Sequence, residues 1–547
     1  MSETDIDKKM TEIEDRRLEA NSKQIAQQAG LQYINLGAFP IDNSALFLID
    51  EADARKANVA AISKNGALIT IAVLDPANPH LQSILQNLTQ RGLSTNMVVT
   101  SLHSLNLALE RYKLKKKTSL EARGVMSISE EEILNLQNQI QGMKDLQERI
   151  TVLPITQVIN ALIAGALKIG ASDIHFEPEE HTIRLRYRLD GVLTDVVNFS
   201  PAGFPSILSR IKLDSGLKIN VHQTPQDGRF TIRLKEKDIE VRVSILPGAY
   251  GENIVMRILD PSSIRQKLED LGMREDTLAL IKKLLQKNTG TILTTGPTGS
   301  GKTTTLYAFV KHINTPDIKI ITIEDPIEYH IQGISQTQVN TKAGYTFAAG
   351  LRSIVRQDPD AILVGEIRDQ ETAEIAMQAA LTGHLVLSTI HTNNAAGTIP
   401  RLIDLGVRPV TIAPAINAAM AQRLVRRLCE ACKKKTPIKH EDYELLKRHL
   451  ARLPSIVTAP EINEKMEIFY SAGCQACNNS GYKGRVGAYE IFEIDADMQK
   501  LILKSPALAE VQEMAIQKGL TTMLQDALMK AAHGITSIDE VMRVIGE

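Results

Sequence analysis

Residues Gly296-Pro297-Thr298-Gly299-Ser300-Gly301-Lys302-Thr303 satisfy the pattern G-x-x-x-x-G-K-[ST], and their flanks narrow what can be built around them. Thr291 to Thr295 reads as a short buried strand and Thr304 to Ile313 as a helix. A phosphate-binding loop requires that strand–loop–helix context; an ordinary glycine-rich turn requires neither flank. Glycine lets the backbone curl until its N–H groups face phosphate oxygens, and the helix N-terminus adds a favourable dipole. Lys302 is expected to reach the β- and γ-phosphates and Thr303 to ligate Mg2+. Gly296 through Thr304 therefore form the segment expected to bind a nucleoside triphosphate.

Around this loop, Lys319 to Glu324, Ala361 to Gly365 and Leu385 to Thr389 read as further buried strands with helices between them. That alternation predicts a parallel sheet covered on both faces, with ligands beyond the carboxyl ends of the strands. Upstream, a small α/β domain is expected over residues 31–112. Val59 to Ile62 and Leu68 to Val73 flank Asn65-Gly66, a hairpin signal, and helices are expected at 80–90 and 104–111. Residues 1–30 form a polar leader. Residues 113–150 hold a basic linker (Lys115-Lys116-Lys117) and, from the Ser129/Glu132 capping pattern, one amphipathic helix from Glu130 to about Arg149.

A second domain is expected over 151–261. Ile183, Leu185, Tyr187 and Leu189 alternate with Arg184, Arg186 and Arg188. A hairpin follows around Glu236-Lys237-Asp238, with Arg242 on the polar face of its second strand and Arg257 on a further strand. Arginines on a sheet face commonly pair with carboxylates, but beside a nucleotide domain they also suit phosphate charge, including across a subunit boundary. The third domain spans 262–547.

Hydrolysis needs a carboxylate to hold Mg2+ and a group to orient water. The expected strand ends supply Glu324 to Glu328, then Glu366 to Asp369, then His384 and His391; Arg352 and Arg356, one helical turn apart, supply positive charge. Glu366 stands where many nucleotide hydrolases carry Asp. The four cysteines, and no others, form two pairs, Cys429/Cys432 and Cys474/Cys477. Two C-x2-C pairs predict a tetrahedral Zn2+ site that leaves no open position for catalysis. Arg426, Arg427 and Lys433 to Lys435 are expected to offset the thiolate charge.

Lys plus Arg (63) and Asp plus Glu (64) nearly cancel, and Trp is absent, which argues against a nucleic-acid partner and against a DNA-translocating motor. No apolar run approaches the ~20 residues of a membrane span. With no signal peptide in the sequence, a cytoplasmic protein is expected, without membrane insertion of its own. Lys302, Glu328 and Glu366 supply the side chains this chemistry needs, which argues against a catalytically inactive structural or signalling protein.

Taken together, these residues resemble the type II/IV secretion ATPase superfamily, in its GspE/PilB group. The resemblance is carried by Ser172-Asp173-Ile174-His175-Phe176-Glu177-Pro178, Pro225-Gln226-Asp227-Gly228-Arg229, the loop at Gly296, Thr322 to Glu328, Leu363 to Asp369 and Leu387 to Asn393. It implies a RecA-like ATPase domain with a zinc-binding insertion at 426–485 and C-terminal helices at 495–547, preceded by a PAS-like α+β domain and an N-terminal α/β docking or regulatory domain. By the same resemblance Glu328 polarises the attacking water, Glu366 lies near Mg2+, and His384 and His391 form a histidine box. Arg242, Arg257, Arg352 and Arg356 reach the nucleotide. The group implies a homohexamer at the inner face of the cytoplasmic membrane, working on a platform protein and a cytoplasmic docking protein and, indirectly, on pilins. Type IV pilus extension is the leading reading, with type II secretion and competence pseudopili beside it. Many relatives also carry an Arg-Leu-Gly/Gln-Leu cyclic di-GMP motif at the start of the N-terminal domain. The residues before Leu31 depart from it, and only Leu31 to Leu36 look similar.

Overall fold

The computed structural model describes residues 19–36, 41–65, 68–112, 130–140, 142–150, 153, 155–234, 237–261 and 266–546. The start of the leader, the basic linker, Ser129, Gly66 and Glu236 lie outside the described residues. The chain divides into two compact units, one of residues 1–127 with 211–219 and 229–231, the other of the remainder.

The first unit carries a four-stranded sheet in the order β1-β4-β3-β2, from β1 (Gln32–Tyr33), β2 (Val59–Asn65), β3 (Leu68–Val73) and β4 (Ser94–Val99). The β2–β3 pair is antiparallel, whereas β3 and β1 both run parallel to β4. Alternate apolar residues such as Ile69, Ile71 and Val73 bury themselves against the helices 81–90 and 102–110. Asp50 and Ser101 cap two of the helices by accepting backbone N–H groups, which satisfies donors a helix start leaves free.

In the second unit, β5 (Ala171–Pro178), β6 (Ile183–Leu189), β7 (Val192–Phe199), β8 (Gln226–Arg233), β9 (Asp238–Gly248) and β10 (Gly251–Leu259) form a six-stranded sheet, ordered β7-β6-β5-β10-β9-β8. Ile174, Phe176, Leu185, Tyr187, Ile254 and Met256 are buried, and the Tyr187 hydroxyl donates to Leu162 O of the helix Ile155–Ile169 at 2.6 Å. The period-2 alternation leaves the arginines on the opposite face. Upstream, the single helix expected over 130–149 is two, Glu130–Gln139 and Met143–Ile150. The helix breaks at Gly142, a residue that disfavours helix, and Asn478 Oδ1 accepts the Met143 N–H at 3.2 Å, capping the second helix from a distant part of the chain.

The remaining strands are β11 (Gly290–Thr295), β12 (Ile320–Glu324), β13 (Ser335–Gln338), β14 (Ala361–Val364), β15 (Leu385–Ile390), β16 (Ile416–Leu428), β17 (Lys433–Pro437), β18 (Glu467–Ser471) and β19 (Tyr482–Glu493). Seven of them form one sheet, ordered β13-β12-β14-β15-β11-β16-β19. All neighbours are parallel except β16 and β19. Two apolar cores cover its faces, one around Ile292, Leu306 and Phe309, the other around Leu293, Met377 and Ile399. Four expected strands lie in this sheet, at β11, β12, β14 and β15. The edge strand β13 and the pair β16–β19 have no counterpart in the sequence reading: β13 is polar, β16 carries Gln422 and three arginines among its apolar residues, and β19 is interrupted by Gly484 and Gly487.

Candidate active site

The loop after β11 is fastened at its base. Thr295 donates its hydroxyl to Ile390 O at 2.7 Å and accepts the Thr392 N–H at 2.7 Å, so the ends of β11 and β15 move together. Gly296 (φ 144°) and Gly301 (φ 89°) adopt left-handed backbone, and each faces β16 closely: a Cβ would lie 2.5 Å from Gln422 O at the first and 2.8 Å from Gln422 Nε2 at the second. The helix Lys302–Ile313 begins immediately after. Lys302 folds back over the loop and donates to Gly296 O at 2.8 Å and Pro297 O at 3.0 Å. Its ammonium is held below the usual lysine range by burial, with Glu366 pulling upward and Arg423 downward.

A cavity of about 470 Å³ opens beside this loop and receives the carboxyl ends of β12, β14 and β15. Thr298, Gly299, Gly301, Lys302, Thr303 and Thr304 line its floor. Glu324 ends β12 but is buried, and its oxygens are occupied by the Tyr307 hydroxyl, Thr322 (2.6 Å) and Gln336 (3.2 Å). It is a scaffold carboxylate. Glu328, four residues on, is partly exposed and, like Asp325, lines the cavity. Arg242 holds it from β9: Nη1 donates to Glu328 Oε2 at 2.8 Å and Nη2 to Ile327 O at 2.9 Å. Glu366, 13% exposed, lies after β14 between Arg368 (2.6 Å) and His391 (3.2 Å).

The sheet arginines divide between the two readings. Arg184 and Arg186 pair with Asp195 (2.7 Å) and Glu177 (2.6 Å) on their own sheet, and Arg188 lies 3.4 Å from Asp173. Arg242 and Arg257, directly opposite each other across β9 and β10, are the pair turned toward the loop. Arg257 lines the cavity, tethered by its Nε to Asp173 at 3.0 Å while its side chain stays 56% exposed.

Three expected residues are not brought in. His384 precedes β15, whereas His391 follows it, so the strand's length, ~20 Å, separates them. His384 closes the helix Gln370–Leu381 instead, its Nδ1 2.9 Å from Ala379 O. A strand presents its two ends at opposite edges of a sheet, and both histidines cannot serve one edge. Arg352 pairs with Glu371 on the surface, and Arg356 donates to Ser353 at 3.3 Å at the far end of its helix. Conversely, Arg368, Leu424 and Arg485 line the cavity without having been singled out in the sequence. Arg368 lay within a motif already quoted, and Gly484-Arg485-Val486-Gly487 was the available signal for Arg485.

The four cysteine sulfurs lie within 4.8 Å of one another. Neighbouring separations are 3.7 Å (Cys474–Cys477), 3.8 Å (Cys432–Cys477) and 3.9 Å (Cys429–Cys474). A tetrahedron with Zn–S bonds of ~2.3 Å has edges of ~3.8 Å, so the donor set fits zinc and is far too open for disulfides, whose S–S bond is ~2.05 Å. Burial opposes ionisation of Cys477, but the N–H groups of Cys474 and Gly481, each 3.2 Å from its sulfur, bring its pKa down to about 7. The flanking basic residues do not face the thiolates as expected. Arg426 pairs with Glu540 at 2.7 Å and stacks on Tyr482, and Lys433 pairs with Glu430 at 2.7 Å. Carboxylates and rings lie within reach of these long side chains, whereas backbone N–H groups already serve the sulfur.

A family model described as type II/IV secretion system protein matches residues 149–543. The chain belongs to that family. A model of the MshEN domain matches residues 29–119. The type IV pilus assembly ATPase PilB of Myxococcus xanthus is 37% identical over 519 residues, covering 95% of this chain and 89% of the relative. The type II secretion system ATPase E of Vibrio cholerae is 43% identical over 435 residues, covering 79% and 84%. The X-ray structure of the Legionella pneumophila ATPase DotB matches with a TM-score of 0.50 at 22% identity, over 70% of this chain and 94% of that one, a likeness of fold. The chain is an ATP-hydrolysing enzyme of the GspE/PilB group, with the α/β ATPase fold of the secretion and pilus ATPases. No helix among the described residues is long and apolar enough to cross a membrane.

Proposed function

We propose that this ATPase drives type IV pilus extension, as a homohexamer working on an inner-membrane platform protein from the cytoplasmic side. Coverage carries this reading. The likeness to the pilus assembly ATPases of Myxococcus xanthus and Pseudomonas aeruginosa extends over 95% of the chain, N-terminal domain included, whereas that to the type II secretion ATPase of Vibrio cholerae extends over 79%. Type II secretion is the second reading, favoured by the higher identity of 43% within the shared region. Deleting the gene should abolish surface pili and leave the secreted proteins unchanged; lost secretion with normal piliation would establish the second reading instead.

In the proposed site, Glu328 orients the attacking water, Glu366 and Thr303 hold Mg2+, and His391 steadies Glu366. Mg2+ supplies charge neutralisation on the β- and γ-phosphate oxygens when bound. Lys302 exchanges its two carbonyl partners for phosphate. Arg242 and Arg257 complete the positive charge around the leaving phosphoryl group, and Zn2+ on the four cysteines is structural. If these arginines serve a neighbouring subunit in the working ring, mixing Arg242→Ala with Lys302→Ala subunits should restore measurable ATPase activity. Strict failure to complement, with both variants still assembling, would place the arginines in cis.

A further inference from the structure

Arg242 and Arg257 stand opposite each other on β9 and β10, and each is gripped by the same atom. Arg242 Nε donates to Glu240 at 3.0 Å, and Arg257 Nε donates to Asp173 at 3.0 Å. A guanidinium holds five donors in a rigid planar fork, and its two Nη nitrogens can take phosphate oxygens in a bidentate way. A carboxylate that takes Nε alone fixes the plane of the group and leaves that outer edge open. Arg184, on the same sheet, shows the opposite arrangement. Its Nε and Nη2 both donate to Asp195, at 2.7 and 3.0 Å, in a one-to-one pair.

Asp173 holds Arg257 without neutralising it. It lies on β5 directly opposite Arg257 in the β5–β10 ladder, with its side chain 6% exposed. Its Oδ1 takes Arg257, while its Oδ2 accepts from Ser172 Oγ at 2.8 Å and lies 3.4 Å from Arg188 Nε. Arg188 is fixed in turn by donating from Nη1 to Gly191 O at 3.2 Å. One buried carboxylate thus serves two guanidiniums, and net positive charge remains on the side of the cavity. The Nη nitrogens of Arg257 have no hydrogen-bond partner among the described residues, and the side chain lines the cavity with Lys302, Glu328 and Glu366. We propose that Asp173 is a positioning residue for ATP hydrolysis, holding Arg257 through Nε so that both Nη nitrogens are presented to the γ-phosphate. This role presupposes that Arg257 acts at the phosphates.

Steady-state ATP hydrolysis by the full chain, in a cycle of single and double variants, separates the two ideas. Arg257→Ala should lower kcat; an unchanged kcat would remove Arg257 from the chemistry, and the role of Asp173 with it. Asp173→Asn keeps the shape and loses the charge. It should lower kcat about tenfold or more, with KM for ATP within about threefold, because a small misplacement of a catalytic group is costly in rate. The double variant should be no slower than Arg257→Ala alone, since Asp173 then has nothing to hold. Arg257→Lys keeps the charge but lacks the fork, so it should resemble Arg257→Ala and be insensitive to Asp173→Asn. Ser172→Ala removes one donor from the same carboxylate and should lower kcat roughly fivefold only where Arg257 is present. That variant decides the matter if Asp173→Asn does not fold, and an unchanged kcat in it would then overturn the proposal. With Arg257→Ala impaired, an unaltered rate in folded Asp173→Asn would also overturn it. So would equal fractional losses with and without Arg257, which would make Asp173 a structural residue.

Discussion

Glu328→Gln should still bind ATP, with affinity held or raised, and hydrolyse it at least ~100-fold more slowly. The substitution keeps the shape and the capacity to accept from Arg242, so the cavity should stay intact while the group proposed to polarise water is lost. The structure adds a physical reason to expect a clean separation of binding from turnover. Arg242 is engaged with Glu328 at 2.8 Å, in a pair whose side chains are 24% and 30% exposed. A half-exposed pair of this kind is worth on the order of 1 kcal/mol, so a triphosphate carrying several charges can draw Arg242 away and leave Glu328 to its water. In the Gln variant that exchange costs less, and ATP affinity should hold or rise. Equilibrium ATP binding and steady-state phosphate release on the same preparation measure both. Near-normal turnover would remove Glu328 from the chemistry.

Loss of zinc, by chelation or by Cys474→Ser, should open the 429–477 segment without emptying the nucleotide site. Apparent zinc binding to four thiolates supplies ~10–16 kcal/mol, to a segment that otherwise rests on the short β17–β18 ladder and a small core around Leu446, Leu450 and Ile468. The phosphate loop hangs on β11 and β15 and does not depend on that ladder. Because Asn478 follows the last cysteine and caps the helix Met143–Ile150, that helix should loosen as well. Metal analysis should find about one zinc per chain. Hydrogen exchange should rise over 429–477 and 143–150, with ATP affinity retained. Purified protein containing no metal would end the zinc assignment; zinc loss that abolishes ATP binding would show the two sites to be coupled.

Much of the site could be read locally. The loop at Gly296 is a contiguous motif, so its strand, its turn and its helix N-terminus follow from short-range rules. The C-x2-C pairs likewise predict a cluster, because two thiolates three residues apart already fix one edge of a ligand set. The alternation in Ile183 to Leu189 placed its arginines on one face, but their fates depended on which strands lay beside them. Arg184 meets Asp195 on β7, whereas Arg242 meets Glu328 from another part of the fold.

The misplacements share a cause. Arg352 and Arg356 are a helical turn apart and do point outward, but spacing cannot say that their stretch of helix leads away from the cavity. His384 and His391 bracket one strand, and only the strand's extended backbone sends them to opposite edges. Likewise the cap of the helix that follows Gly142 comes from Asn478, 335 residues later than Met143 in sequence and 3.2 Å from its N–H in space. By itself the sequence pointed to a nucleotide-binding loop at Gly296 to Thr304, to four cysteines suited to one metal, and to carboxylates at the carboxyl ends of parallel strands, because each of these depends on residues close together in the chain. Only the tertiary structure decided which carboxylates are accessible, with Glu324 buried under three hydrogen bonds and Glu328 partly exposed in its pair with Arg242, and which arginines face the cavity. Those are contests between partners from separate strands, and strand order, not sequence spacing, sets who is within reach.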